Sequence, residues 1–374
     1  MKIILNTTTA YKGGSVQVAI SLLKEFRQYK ENEYHVFLGP SILCLIDKSD
    51  FQNNFHFYAF KCRPSQKVFS FSPLSNYFRK LEKNINPDCV ITTSGPSYWR
   101  PSSPHLIGYN LPHYVYRDSP YWGIAGTLTK MRFFFIRHII KYFFKKDADC
   151  YFVQTDDVKE RLKCFIGEKV IRTIPNACSF AENQNHITKK FFSSSGATKF
   201  RFLTLSAYYK HKNLEIINLV SKLLESRGYS NIEFIVTLCE ADFIQCFGEI
   251  PPSNIINVGP IEPKECYSLY NECDALILPT LLECFSANFV EAMFMRKPIL
   301  TSNLSFAKCV CGDAAVYFNP LNENEITEKV INLVEDSELR SRLVSNGILR
   351  LKAFPTAKER AFEILKLAKS LTSK

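Results

Sequence analysis

The sequence predicts an α/β protein made of two successive doubly wound, Rossmann-like domains facing a cleft. Three observations predict it. Short apolar runs of strand length alternate with longer amphipathic runs along the chain. The alternation is interrupted once, by a polar, Ser-rich stretch at 181–198 that reads as a linker, and then restarts. The length, 374 residues, suits two or three domains of about 150 residues each.

The elements follow in order. Lys2–Asn6 reads as a first strand, followed by a turn at Gly13-Gly14, an amphipathic helix to about Tyr29, and a second strand at Tyr34–Leu38. Strand, glycine turn, helix and strand in that order make a Rossmann-like unit. The runs Cys89–Ile91, Leu106–Gly108 and Cys150–Val153 are bounded by turn or helix signals, as buried parallel strands are. Beyond the linker, Phe202–Leu205 is a strand and Asn213–Arg227 a helix closed by Gly228. Glu233–Leu238, Ile255–Val258, Ala275–Leu278 and Pro298–Thr301 are further strands with helices between them. A last helix spans Thr356–Ser370. The expected domains are 1–180, 181–355 and a closing helix at 356–374.

Composition narrows the class. The chain is 46% hydrophobic, 14% aromatic and 22% charged, which excludes a mainly disordered, collagen-like or coiled-coil chain. No apolar run approaches the ~20 residues of a membrane-spanning helix. The start is apolar for only Ile3-Ile4-Leu5 before Asn6, shorter than a signal peptide needs, so a cytoplasmic location is expected. The 13 cysteines are odd in number and scattered, with Cys89, Cys150, Cys239 and Cys273 inside apolar segments. They read as free thiols, not as a disulfide framework. Cys309 and Cys311 lack a partner pair at zinc-site spacing, so no metal is expected.

Charge is unevenly placed. The formal net charge is +11; residues 1–180 hold 25 Lys/Arg against 14 Asp/Glu, and 181–374 hold 22 of each. A basic half beside a neutral half suggests different partners. Residues 119–146 carry six bases and no acid. Within them, Leu128–Lys146 has a helical period that sets Lys130, Arg137, Lys141 and Lys145 on one face. Phe135, Ile136, Ile139, Ile140, Tyr142 and Phe143 fall on the other. The expectation is that the apolar face packs on the sheet while the basic face meets water or anionic lipid headgroups at the inner surface of a membrane. Nucleic acid is disfavoured, because no reading motif accompanies the charge.

The segment 274–293 carries the chemistry. An apolar strand ends at Pro279, a short loop holds Glu283, and a helix begins near Ser286 and carries Glu291. A helix start offers unpaired N–H groups and a positive dipole end to a phosphate. A carboxylate before it and another along its face can accept hydrogen bonds from sugar hydroxyls. One site can thus hold a sugar, a diphosphate and a ribose in line.

On these residues the sequence resembles the retaining nucleotide-sugar glycosyltransferases of family 4, which have the GT-B fold. The resemblance rests on Glu283 and Glu291 with seven residues between them, followed by Ala292-Met293. It extends through Lys297–Ser302, Ala314–Pro320, Pro175-Asn176 and Lys212-Asn213-Leu214. Gly13-Gly14-Ser15 and Asn110-Leu111-Pro112-His113 are similar to that family's acceptor-domain loops. The resemblance implies that Glu283 contacts the donor sugar and Glu291 the ribose. It implies that Lys212 binds the diphosphate together with amides near Phe285, Ser286 and Ala287, and that Gly259-Pro260-Ile261 flank the base. Gly13, Gly14, Asn176 and Lys210 join the donor-binding set, and His113 joins Glu283 and Lys212 as catalytic. The implied partners are a nucleotide sugar as co-substrate, with no further cofactor, and a saccharide or lipid-linked acceptor in capsule or lipopolysaccharide assembly. Two departures stand out. The family usually has an Arg about six residues before its phosphate Lys, where this chain has Ser206-Ala207; Lys210 or His211 lie in the same loop. The Gly usual after the motif's Phe is Ser286.

Plainer readings stand beside these. Paired glutamates and a lone Lys212 are often only solvated surface, a His after a Pro is often structural, and Gly13-Gly14 alone can be a tight turn. Asp147-Ala148-Asp149 is similar to the metal-binding carboxylate pair of the other glycosyltransferase fold. As a whole-protein function, a nucleotide-sugar epimerase on the same fold and a non-catalytic, degenerate transferase are the alternatives.

Overall fold

A computed structural model describes residues 1–67, 73–178, 189–193 and 199–372. The chain forms two compact units, each built on one all-parallel sheet. The first comprises 1–117, 125–176 and 355–374, and the second 118–124 and 177–354. Most of the linker expected at 181–198 lies outside the described residues. Its described part, 189–193, is held by the second unit: the Phe191 and Phe192 amides donate to the Glu272 carboxylate at 2.8 and 2.9 Å.

The first unit's strands are β1 (Lys2–Asn6), β2 (Glu33–Leu38), β3 (Phe55–Ala59), β4 (Cys89–Thr92), β5 (His105–Gly108), β6 (Cys150–Val153) and β7 (Val170–Thr173). Their order in the sheet is β3-β2-β1-β4-β5-β6-β7. The central strands are buried on both faces, which is why they read as unbroken apolar runs. The helix Ala357–Thr372 belongs to this unit; Ala361, Ile364, Leu365 and Ala368 join Ile3, Leu5, Ala19 and Leu23 in its core. Ile364 is fully buried there, so its replacement by alanine costs about 2–5 kcal/mol.

The second unit's strands are β8 (Phe200–Thr204), β9 (Ile232–Val236), β10 (Ile255–Asn257), β11 (Ala275–Leu278), β12 (Ile299–Ser302) and β13 (Ala315–Phe318). Their order is β10-β9-β8-β11-β12-β13. The GT-B, two-sheet α/β expectation holds. The strands that the apolar runs did not reveal, β3, β7 and β13, are all edge strands. In β3 and β7 the half-exposed faces admit polar residues, His56 and Arg172, which break the run; β13, Ala315-Val316-Tyr317-Phe318, is apolar but short.

One expectation is overturned. The basic helix does form, at Thr127–Asp147, but the first unit buries a different side of it. Ile140, Phe144 and Asp147 are buried and Phe133 and Ile136 half-buried. Arg137 also turns inward: its Nε donates to the Tyr114 carbonyl at 3.2 Å and its guanidinium lies 4.6 Å from the Phe165 ring centre. Half-buried Lys141 faces the same ring. Phe135, Ile139 and Tyr142, expected on the sheet, are exposed instead. The helix carries more apolar side chains than one contact stripe can bury, and spacing alone does not say which of them are left out.

Candidate active site

In the second sheet the chain runs outward from β8 through β9 to β10 on one side and from β11 through β12 to β13 on the other. The loops after β8 and β11 therefore diverge, and such a switch point leaves a crevice at the carboxyl ends of the strands. The motif residues sit on these two loops.

After β8, a short 3-10 turn at Lys210–Lys212 ends at Asn213, which is left-handed at φ 56°. The Asn213 side chain donates to the Pro320 carbonyl at 2.7 Å, tying this loop to the one after β13. The Leu281 amide donates to the His211 carbonyl at 2.8 Å, and the Asn288 side chain donates to the Leu205 carbonyl at 2.5 Å. These bonds fix the β8 loop against the β11 loop. Residues 118–124 join the second unit at the same place: the Ser119 hydroxyl donates to the Leu281 carbonyl at 2.6 Å, and Tyr121 meets the His211 ring edge-on.

At the centre, the Lys212 ammonium donates directly to the Glu283 carboxylate. The two side chains are 15% and 9% exposed. Removing either partner would leave a nearly buried charge uncompensated, typically at a cost of 3–5 kcal/mol. Lys210, one of the two candidates to replace the family's Arg, donates to Glu215 at 2.7 Å, and the Tyr208 hydroxyl donates to the same oxygen at 2.7 Å. Burial pushes the Glu215 carboxyl up, but these hydrogen bonds outweigh it and hold the group below its ordinary range. His211, the other candidate, stacks on Tyr209.

Ser286 caps the helix Ala287–Phe294 with its backbone; its side chain makes no cap bond. Ser286 is buried, Ala287 exposed, and half-buried Phe285 meets the Phe354 ring edge-on. Glu291 lies buried on this helix. Its charge reaches the neighbouring helix Cys266–Asn271, where burial first and Glu291 second push the Cys266 thiol up to about 12. The loop between β10 and that helix holds Gly259, at φ 76°, and half-buried Ile261. Asn257 locks it to the end of β9 through two bonds with the Leu238 backbone, each 3.0 Å.

The remaining predicted residues belong to the first unit. Gly13, at φ 55°, and Gly14 open the helix Gly14–Phe26 after β1. Asn176 follows β7, and its buried Oδ1 has no hydrogen-bond partner. His113 sits in the short helix Pro112–Val115 with its ring stacked on Phe133, 4.7 Å between centres. Burial pushes its imidazole down to about 4, so it is neutral at pH 7. Asp147 and Asp149, the metal alternative, are engaged separately. Asp149 accepts from Arg100 at 2.5 Å and from the His105 amide at 3.0 Å. Buried Asp147 accepts from Ser97 at 3.1 Å, and burial raises its carboxyl to about 7.

Sequence reasoning missed Glu215, Asn257, Asn288 and Ser119. All four act by holding loops or charges in place. Glu215 had a signal, being five residues after Lys210 in a basic turn; Ser119 had none, since its partner is 162 residues away.

Comparison with known proteins bears on the fold. The fold class is that of GT-B glycosyltransferases. Residues 186–350 match the family described as Glycosyl transferases group 1. The whole chain superposes on sucrose-phosphate synthase from Thermosynechococcus elongatus with a TM-score of 0.73 at 12% identity, covering 100% of this chain and 99% of that one. It superposes on Anabaena HepE, in complex with UDP and glucose, with a TM-score of 0.67 at 13% identity, covering 99% and 100%. In sequence it is similar to the capsular polysaccharide biosynthesis glycosyltransferase CapM of Staphylococcus aureus, 26% identical over 141 residues, 35% of this chain and 36% of that protein. The match thus spans about a third of CapM. The resemblance drawn from the motif residues finds its counterpart in the second unit, where 186–350 match the group 1 glycosyl transferases, and the fold of the whole chain is GT-B.

Proposed function

We propose that the protein is a retaining, metal-independent glycosyltransferase. It transfers a sugar from a nucleoside diphosphate sugar to a saccharide acceptor on a lipid carrier, in surface polysaccharide assembly, with no other cofactor. The observation that carries this reading is the nearly buried Lys212–Glu283 pair at the β8/β11 switch point, just ahead of the helix bearing buried Glu291. An ammonium beside a carboxylate answers both halves of a sugar diphosphate. HepE, described with UDP and glucose, and CapM, described as a capsular polysaccharide enzyme, support the substrate class.

In this mechanism Lys212 and the amides at the start of Ala287–Phe294 bind the diphosphate and stabilise the charge that grows on it. Glu283 accepts hydrogen bonds from the sugar hydroxyls and Glu291 from the ribose; Gly259 and Ile261 flank the base. Lys210 adds positive potential beyond its bond to Glu215. The acceptor hydroxyl attacks the anomeric carbon, the bond from that carbon to the phosphate oxygen breaks, and the hydroxyl proton passes to the departing phosphate on the same face.

A thermal-shift screen of nucleoside diphosphates and their sugars identifies the donor; a ligand at 100 times its Kd adds about 2.7 kcal/mol of stability. Incubation of that donor with and without acceptor then tests the reaction. Product that needs acceptor supports transfer. Conversion of donor alone indicates an epimerase, and stabilisation without any turnover indicates a binding protein.

A further inference from the structure

The exposed side of the helix Thr127–Asp147 does not look like an ordinary solvated surface. Leu128, Met131, Phe135, Ile139 and Tyr142 recur at three- and four-residue intervals and form one outward stripe. Leu128 is 83% exposed, Phe135 62% and Tyr142 56%. Among the described residues, six of the 19 exposed large apolar side chains lie on this one 21-residue helix. Exposed bases Arg132, Lys145 and Lys146 accompany the stripe. The helix carries no acid before Asp147, which is buried.

We propose that this face docks on an anionic lipid bilayer, with the helix lying in the plane of the interface and the apolar stripe dipping into it. Charge complementarity selects this occupant. A second copy of the chain would bring one acid-free basic helix against another, whereas anionic headgroups offset the same charges. Apolar residues on the leading face with bases beside them make the pattern that interfacial helices share, and at 1.5 Å per residue the helix offers about 30 Å of contact. The insertion surface is therefore not the basic face singled out by spacing: Arg137 and Lys141 are turned inward. This inference does not depend on what the Lys212–Glu283 site binds.

The test is co-sedimentation of the full chain with vesicles of phosphatidylglycerol and phosphatidylcholine in equal parts, against phosphatidylcholine alone. The wild type pellets with the anionic vesicles, less so as salt rises. Changing Arg132, Lys145 and Lys146 to Gln lowers partitioning, roughly fivefold for each charge. The pair Leu128→Ser and Phe135→Ser lowers it at least about tenfold. Both positions are exposed, so the thermal midpoint stays put and nucleoside diphosphate binding is untouched. A Leu128→Trp variant shows a blue-shifted emission on the same vesicles. Three results would each overturn the proposal: wild type that stays in the supernatant at low salt, a serine variant that partitions like wild type, or a wild-type dimer that the serine changes turn into monomer.

Discussion

The two sheets share a topology but differ at the place where that topology opens. In the second unit the β8/β11 switch point holds a nearly buried ion pair, Lys212–Glu283, with buried Glu291 on the following helix. In the first, the loops after β1 and β4 diverge in the same way, yet the buried polar residues there are Asn6, Thr7, Thr8, Thr92, Thr93 and Ser94, all neutral. Three of them, Asn6, Thr8 and Thr92, bond among themselves, Thr7 donates to the Phe37 carbonyl at 2.8 Å, and the buried Thr93 hydroxyl has no hydrogen-bond partner. Asn6 donates to the Thr92 hydroxyl at 3.2 Å, Thr8 donates to Asn6 at 2.6 Å, and Ser94 donates to Asn110 at 2.7 Å. The fold supplies two crevices, and the side chains decide that only one carries the charges a diphosphate requires. The +11 excess of the first half does not gather at its switch point.

The largest effect that sharpens this contrast is expected at Lys212. Lys212→Ala lowers the transfer rate by about 10²–10³, the scale for losing one charge-stabilising donor, and weakens nucleoside diphosphate binding. It also leaves Glu283 unpaired, so the thermal midpoint falls. Adding Glu283→Gln restores the midpoint without restoring the rate. If the single variant turns over normally, the charged crevice is not the donor site.

Changes at the neutral crevice should separate stability from binding. His105 is fully buried; its Nδ1 lies 2.6 Å from the Asp147 carbonyl, which fixes that nitrogen as the donor, and its Nε2 then accepts from the Thr92 hydroxyl at 2.8 Å. Thr92→Val removes that donor and costs about 1–3 kcal/mol of stability, while nucleoside diphosphate affinity stays unchanged in calorimetry. Burial pushes His105 down to about 4. Because its folded value lies below its ordinary 6.5, the stabilisation from neutral His105 is complete above pH 6.5 and is lost as pH falls towards 4. Urea melts at pH 7 and pH 4.5 should show that the stability gap between wild type and His105→Asn narrows in acid. A constant gap would contradict the assignment.

The smallest effect expected is none at all. Transfer survives EDTA if Lys212 and the helix start neutralise the diphosphate, whereas an absolute need for magnesium or manganese would move attention to a metal-bridged donor.

Legibility followed the same division. The charged site could be read from the sequence because its chemistry is local: Glu283, Ser286 and Glu291 lie within nine consecutive residues, and Lys212 stands in its own short motif. The central strands could be read because burial on both faces makes them uniformly apolar. Edge strand β3 could not, since only Phe55 is buried and exposed His56 interrupts its apolar run. Nor could the transfer of 118–124 to the second unit, which rests on Ser119 meeting Leu281. The helix Thr127–Asp147 shows a third limit. Its period and bounds were evident, but Phe135 and Phe144 are equally apolar in sequence, and only packing shows that one is exposed and the other buried.

The central claim is that the charged switch point, and not the neutral one, takes the nucleotide. The most direct test is calorimetric titration of the preferred nucleoside diphosphate into wild type, Glu291→Ala and Thr92→Val. The account predicts that Kd rises about 10- to 150-fold in Glu291→Ala, the equivalent of 1.5–3 kcal/mol for a charged hydrogen bond, and stays unchanged in Thr92→Val. Unchanged affinity in Glu291→Ala, or a loss in Thr92→Val alone, would contradict it.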